Sequence, residues 1–162
     1  FGSPIKIVEA VVEVNERRKL QMADKIVAAC GGSVEGKKVA ILGLTFKPNT
    51  DDMRDSPSLA IVPAFVTGGA DVHAFDPQGM DEARTMIEGI EWCDGAYEAL
   101  DGTDVVAIVT EWNEFRALDL ERMKSTMAHP VMVDLRNIYK PDEMTAAGFD
   151  YHCIGRTVAN GQ

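Results

Sequence analysis

Apolar and polar positions along the first thirty residues alternate between two kinds of helix surface. "IKIVEAVVEV" and "MADKIVAAC" carry apolar residues at helical spacing, while "NERRK" between them is fully polar. Ser3 suits an N-cap, Pro4 suits the first helical position, and Gly31-Gly32 stop the run. The pattern predicts one helix of about 27 residues, roughly 40 Å long. A compact domain of this size is not much wider. Apolar residues at 5, 7, 8, 11, 12 and 14 form too broad a face to leave in water. The start of the helix is therefore expected to pack on a body other than the domain that follows.

Beyond Gly36 the pattern changes to short apolar runs bounded by turn residues. "VAILGLT", "ADVHAFDP", "IEWC", "DVVAIVTEW", "VMVDLRN" and "FDYHCIG" predict strands. Between them "PSLAIVPAFVTGG", "MDEARTMIEG", "AYEALDG", "LDLERMKSTMA" and "KPDEMTAAG" predict helices. Ser56 is expected to cap the first of these, and Pro63 to kink or shorten it. Strand–helix alternation calls for an α/β fold: a doubly wound, mainly parallel sheet with helices on both faces and right-handed crossovers. The expected division is a connecting helix over 1–32, an α/β domain over 37–156, and a tail over 157–162 with no packing signal.

The chain has 162 residues, 46% of them apolar, which suits one domain with an appendage. No apolar run approaches the roughly 18 residues of a membrane span, and there is no signal-peptide pattern. The expectation is a soluble, cytoplasmic protein. A net charge of −10 argues against nucleic acid or an anionic membrane as partner. It leaves room for a small anion, because the field in a pocket is local. Cys30, Cys93 and Cys153 are odd in number without CxxC spacing, which fits reduced, buried thiols rather than disulfides or zinc. His73, His129 and His152 share no ligand spacing, so no metal site is expected.

In open α/β sheets ligands bind beyond the carboxyl ends of the strands. After the first strand comes "GLTFKPNTDDMRDSP", a dozen residues where a strand-to-helix link needs about 2–6. The other strand ends carry Asp76-Pro77, then Thr110, Glu111 and Trp112, then Arg136. Lys47, Arg54 and Arg136 are placed to converge on an anion, aided by free amides at the start of the Pro57 helix. The dinucleotide fingerprint G-x-G-x-x-G is missing, so side-chain cations must carry more of the phosphate load. Bland alternatives stand beside each assignment. Lys47 and Arg54 neutralise Asp51, Asp52 and Asp55 in a surface loop, or they bind. Asp76 holds a ribose or caps a turn. Arg136 pairs with Asp134 or Asp142, or it binds. Trp112 reads as core.

These residues carry a resemblance. "LGLTFKPNTDDMRDSPS" looks like the signature opening the C-terminal, nucleotide-sugar-binding domain of the UDP-glucose 6-dehydrogenases, within the UDP-glucose/GDP-mannose dehydrogenase family. "AVVEVNERRK" resembles the end of that family's central helix. "VHAFDP", "VTEWNEF" and "VMVDLRNIYKPDEM" resemble later segments in matching order. The resemblance covers nearly the whole chain and implies a Rossmann-like fold. By resemblance, Phe46, Lys47 and Arg136 contact the UDP-sugar, and Arg54 reaches NAD bound on another domain. The implied activity is NAD-dependent oxidation of UDP-glucose to UDP-glucuronate, through a thioester on a cysteine of a Gly-rich stretch. That stretch and the dinucleotide-binding domain would precede Phe1, and Cys30 in "AACGG" does not match it. The chain therefore looks like a UDP-binding half, inactive by itself and without a catalytic residue of its own. The resemblance further implies a homodimer formed through the long helix.

Three other readings stand beside this one: a dehydrogenase of another nucleotide sugar in the same family, a receiver-like signalling module, and a pure dimerisation module. The receiver reading would assign Asp51-Asp52, Asp94, Thr110 and Lys140 to phosphoacceptor chemistry. It fits poorly, because the acid pair lies too far along the loop.

Overall fold

The computed structural model describes residues 6–156; Ser3, Pro4, Ile5 and the 157–162 tail lie outside the described residues. The chain opens with α1 (Lys6–Ala29). Its end is a Schellman motif: Gly32 N–H donates to Val27 O at 3.0 Å and Gly31 N–H to Ala28 O at 3.1 Å. Gly31 takes the left-handed conformation that the motif requires. Strands and helices then follow as β1 (Lys38–Leu42), α2 (Ser58–Thr67), β2 (Asp71–Phe75), α3 (Met80–Arg84), β3 (Glu91–Trp92) and α4 (Ala96–Leu100). The second half runs β4 (Val105–Ile108), α5 (Asn113–Arg116), α6 (Leu120–Thr126), β5 (Val131–Asp134), α7 (Pro141–Ala146) and β6 (Asp150–Cys153).

The six strands form one sheet in the order β3-β2-β1-β4-β5-β6, parallel throughout. The expected doubly wound fold is thus present, with every pair parallel. Alternate side chains of each central strand enter two separate cores. Val39, Ile41, Val105, Ala107 and Val133 join one with α1 and α2. Ala40, Leu42, Val106, Ile108 and Met132 join the other with α4, α6 and α7. Burial on both faces is why these strands read as unbroken apolar runs. Each fully buried Leu, Ile or Val side chain contributes about 1.5–3 kcal/mol.

The helices depart from the sequence pattern in two places. Pro63 neither ends nor shortens α2, which continues to Thr67. Pro63 lies on the exposed face, where water can satisfy the Leu59 carbonyl that lacks its usual donor. The four-residue helix α5 has no counterpart in the sequence pattern.

Helix α1 is divided along its length. Ala23 and Ile26 are buried in the core. Ile7, Val8, Val11, Val12 and Val14 are each more than half exposed. Between them the polar waist is solvated, with Arg17 paired to Glu13 and Lys19 to Glu16.

Candidate functional site

Strand order reverses between β1 and β4, and the crevice at their carboxyl ends is where a doubly wound sheet ordinarily takes a ligand. Here protein fills it. Gly43 has φ +89°, and a Cβ there would lie 2.5 Å from Thr110 Cβ and 2.7 Å from Thr110 N. Thr110, itself buried, donates from its hydroxyl to Thr45 O at 2.6 Å. Trp112 closes the other side, 5% exposed, with its indole N–H directed at Asp76 Oδ2 at 3.2 Å. Among the described residues no glycine cradle opens at Gly43, which packs directly against Thr110.

Asp76, at the end of β2, organises this plug. Its Oδ2 accepts from Leu44 N–H (2.7 Å), Thr45 N–H and the Thr45 hydroxyl (3.1 Å each) besides Trp112. Its Oδ1 accepts from Gln78 N–H (3.0 Å) and Gly79 N–H (2.7 Å). Of the two roles considered for Asp76, the turn-capping one is the role these contacts fill. A carboxylate that is 1% exposed and already accepting from this many donors has no edge to offer a ribose.

The long loop after β1 divides into a buried base and an exposed tip. At the base, the hydroxyls of Ser56 and Ser58 both donate to Leu44 O at 2.6 Å, and Met53 is buried. Phe46 N–H donates to Asp52 O at 2.8 Å and closes the tip. Asn49 and Asp55 turn the chain with φ 62° and 59°, a conformation that these residue types tolerate. The tip displays Phe46, 48% exposed, and Lys47, also exposed. Phe46 also lines a groove of about 500 Å³ shared with Val12, Arg18 and Met22 of α1. The waist of α1 therefore passes the same carboxyl edge.

Two predicted cations are already paired. Arg54 grips Asp52 with Nε and Nη2, each at 2.9 Å, while its side chain stays 85% exposed. Those hydrogen bonds hold the Asp52 carboxyl down at about 2. Arg136 pairs with neither Asp134 nor Asp142 through its side chain. Its Nε and Nη2 fork onto Glu111, with Nη2 to Oε1 at 2.6 Å. Asp134 instead accepts the Arg136 and Tyr139 backbone N–H groups at 3.0 Å and the Tyr151 hydroxyl at 2.8 Å. Burial and this carboxylate push the Tyr151 phenol far up. Asn137 clasps Ile154 through both amide atoms, tying the loop after β5 to the end of β6.

The amides expected to be open at the start of α2 are occupied. Ser58 N–H donates to Ser56 Oγ (3.2 Å), Leu59 N–H donates to Ser56 O (3.2 Å), and Pro57 has no N–H. Pro57, not Ser56 as expected, holds the cap position of α2 and makes no side-chain cap. Ser56, one residue earlier, takes up these first amides and so removes the helix terminus as an anion site. Burial, with Glu98 and Glu91 nearby, pushes the Cys93 thiol up to about 11. Its 3.9 Å approach to His73 Nδ1 therefore makes no nucleophile. The strand order β3-β2-β1-β4-β5-β6 also differs from the 2-1-3-4-5 order of receiver-like folds.

What remains at the carboxyl edge is Phe46 and Lys47 on one side and Arg136 on the other. Only β4 separates their strands, so the strand ends are about 10 Å apart. Glu111, the partner of Arg136, is visible in the sequence only as a residue near the end of the fourth strand, three positions beyond Ile108.

Residues 40–141 match the model of the UDP-glucose/GDP-mannose dehydrogenase family, UDP binding domain. The UDP-glucose 6-dehydrogenase of Rhizobium meliloti (strain 1021) is 54% identical over 95% of this chain and 35% of its own length. UDP-glucose 6-dehydrogenase TuaD of Bacillus subtilis (strain 168) is 40% identical over 99% of the chain and 35% of its own length. Among solved structures, an NDP-N-acetyl-D-galactosaminuronic acid dehydrogenase from Methanosarcina mazei Go1 superposes with a TM-score of 0.81 at 30% identity. That match covers 96% of this chain and 33% of that one. The chain spans about a third of the length of the curated relatives it matches.

Proposed function

The chain belongs to the UDP-glucose/GDP-mannose dehydrogenase family, and from that membership we propose that it is the UDP-sugar-binding part of a UDP-glucose 6-dehydrogenase. The carrying observation is the exposed Phe46–Lys47 tip and Arg136 on one sheet edge, with the crevice between them plugged. Lys47 supplies a mobile point charge for the diphosphate, Arg136 a planar donor, and Phe46 an apolar face for the ligand. The buried networks at Asp76 and Asp134 hold both loops, so little ordering cost falls on binding.

In the whole enzyme the reaction we propose is the four-electron oxidation of the UDP-glucose C6 hydroxyl to a carboxylate, with two NAD molecules each accepting one hydride in turn and water supplying the second carboxylate oxygen. The residues of this edge do not fit NAD, because Gly43 is packed against Thr110 and leaves no pyrophosphate cradle. Arg54, exposed at the rim, is the one residue here proposed to reach the cofactor. This chain binds and orients the nucleotide; no group that would take the substrate's proton or hydride is assigned to it. The proposed domain roles follow: residues 1–32 connect and dimerise, and 37–156 bind the nucleotide sugar. The apolar N-terminal half of α1 is the surface proposed to meet a second copy.

Calorimetric titration tests the reading. UDP and UDP-glucose are expected to bind, and GDP-mannose to bind at least tenfold more weakly. Equal binding of both nucleotide sugars would move the assignment to another dehydrogenase of the family; no binding of either would remove it.

A further inference from the structure

We propose that Glu111 is a positioning residue for Arg136: it holds the guanidinium by one edge so that the other faces the diphosphate of the bound nucleotide. The inference rests on the reading of Arg136 as a ligand contact and goes beyond it. A guanidinium has five N–H donors in a rigid plane. Glu111 takes the Nε side of that fork with both of its oxygens. Nη1 has no hydrogen-bond partner among the described residues. The free edge is thereby fixed in direction before a ligand arrives.

Glu111 is itself held. Its neighbour Trp112 is buried and anchored to Asp76, so the backbone that carries Glu111 belongs to the plug. On the other side Arg136 N–H is tied to the buried Asp134. Both members of the pair are about one-third exposed in their side chains, at 32% and 27%. Water screens such a pair less than one on the open surface. Burial pushes the Glu111 carboxyl up most strongly of any single influence, but the hydrogen bonds from Arg136, a backbone hydrogen bond and the charges of Arg136 and Arg116 together hold it below its ordinary value. The arrangement matches a first contact oriented by a second carboxylate, as in metal and catalytic sites.

The alternative role for the same geometry is a block, in which Glu111 competes with phosphate for Arg136. The two roles have opposite signs. UDP is titrated by calorimetry into the full chain, Glu111→Gln, Arg136→Ala and the double variant, with melting temperatures taken alongside. Positioning predicts about tenfold weaker binding for Glu111→Gln, and no further loss when that change is added to Arg136→Ala. Unchanged or tighter binding in Glu111→Gln overturns the inference and leaves the role of Arg136 intact. An equal loss in both backgrounds also overturns it, because Glu111 would then act without Arg136. If Arg136→Ala itself binds UDP normally, the proposed function loses Arg136 and this inference falls with it.

Discussion

The hydroxyl of Thr110 donates a 2.6 Å hydrogen bond to the carbonyl oxygen of Thr45, and both residues are buried. This contact joins the end of β4 to the base of the loop after β1, across the point where a doubly wound sheet usually opens. Thr110→Val keeps the shape and strands the acceptor. The expected cost is about 1–3 kcal/mol, read as a lower urea midpoint with an unchanged slope.

Asp76 gathers donors from three segments that are far apart in sequence. Asp76→Ala leaves several of them buried without a partner, and a loss of about 3 kcal/mol or more is expected. Asp76→Asn keeps one acceptor oxygen and should cost less. Equal stability of both variants and the unmodified chain in urea would show that the plug is not held by this carboxylate.

The sheet was legible because its strands are buried on both faces, so apolar runs such as "VAIL" and "VVAI" had no competing explanation. Helix α1 was legible from its period and from Gly31-Gly32. Helix α5 was not, because "NEFR" is shorter than one hydrophobic repeat. The site was legible in part. Lys47 and Arg136 stood out as cations at strand ends, but their surroundings depend on partners distant in sequence. Nothing in the chain near Arg136 names Glu111, 25 residues away, as its partner. Likewise a lone "DP" after a strand cannot show that its carboxylate is already surrounded by donors. The amides of α2 look free in the sequence because nothing there shows that the hydroxyl and carbonyl of Ser56 already accept from Ser58 and Leu59.

The Arg54–Asp52 pair sets a pH dependence of the loop. Asp52 is held at about 2 by hydrogen bonds from Arg54, below the ordinary carboxylate value of about 4. The pair therefore supports the loop fully above about pH 4 and loses that support as pH falls towards 2. Carboxyl carbon shifts followed by NMR should give Asp52 a midpoint near 2. In Arg54→Ala the midpoint should rise towards the ordinary range, although the backbone N–H of residue 54 still donates to Asp52. A normal midpoint in the unmodified chain would mean that the pair does not persist in solution.

The exposed apolar strip of α1 predicts self-association. Val8 and Val12 lie one turn apart on that strip, each more than half exposed. They are clear of the core that Ala23 and Ile26 enter. Val8→Glu with Val12→Glu should give a monomer by sedimentation at a concentration where the unmodified chain is a dimer, without lowering its melting temperature. A monomeric unmodified chain contradicts the dimer.

The most direct test of the whole account is a crystal structure of the chain with UDP. The expected density lies outside the plugged crevice, with the diphosphate within hydrogen-bond reach of both Lys47 Nζ and the Nη1 edge of Arg136, and Phe46 against the ligand. A diphosphate seated between Gly43 and Thr110 on backbone amides, touching neither cation, would contradict it.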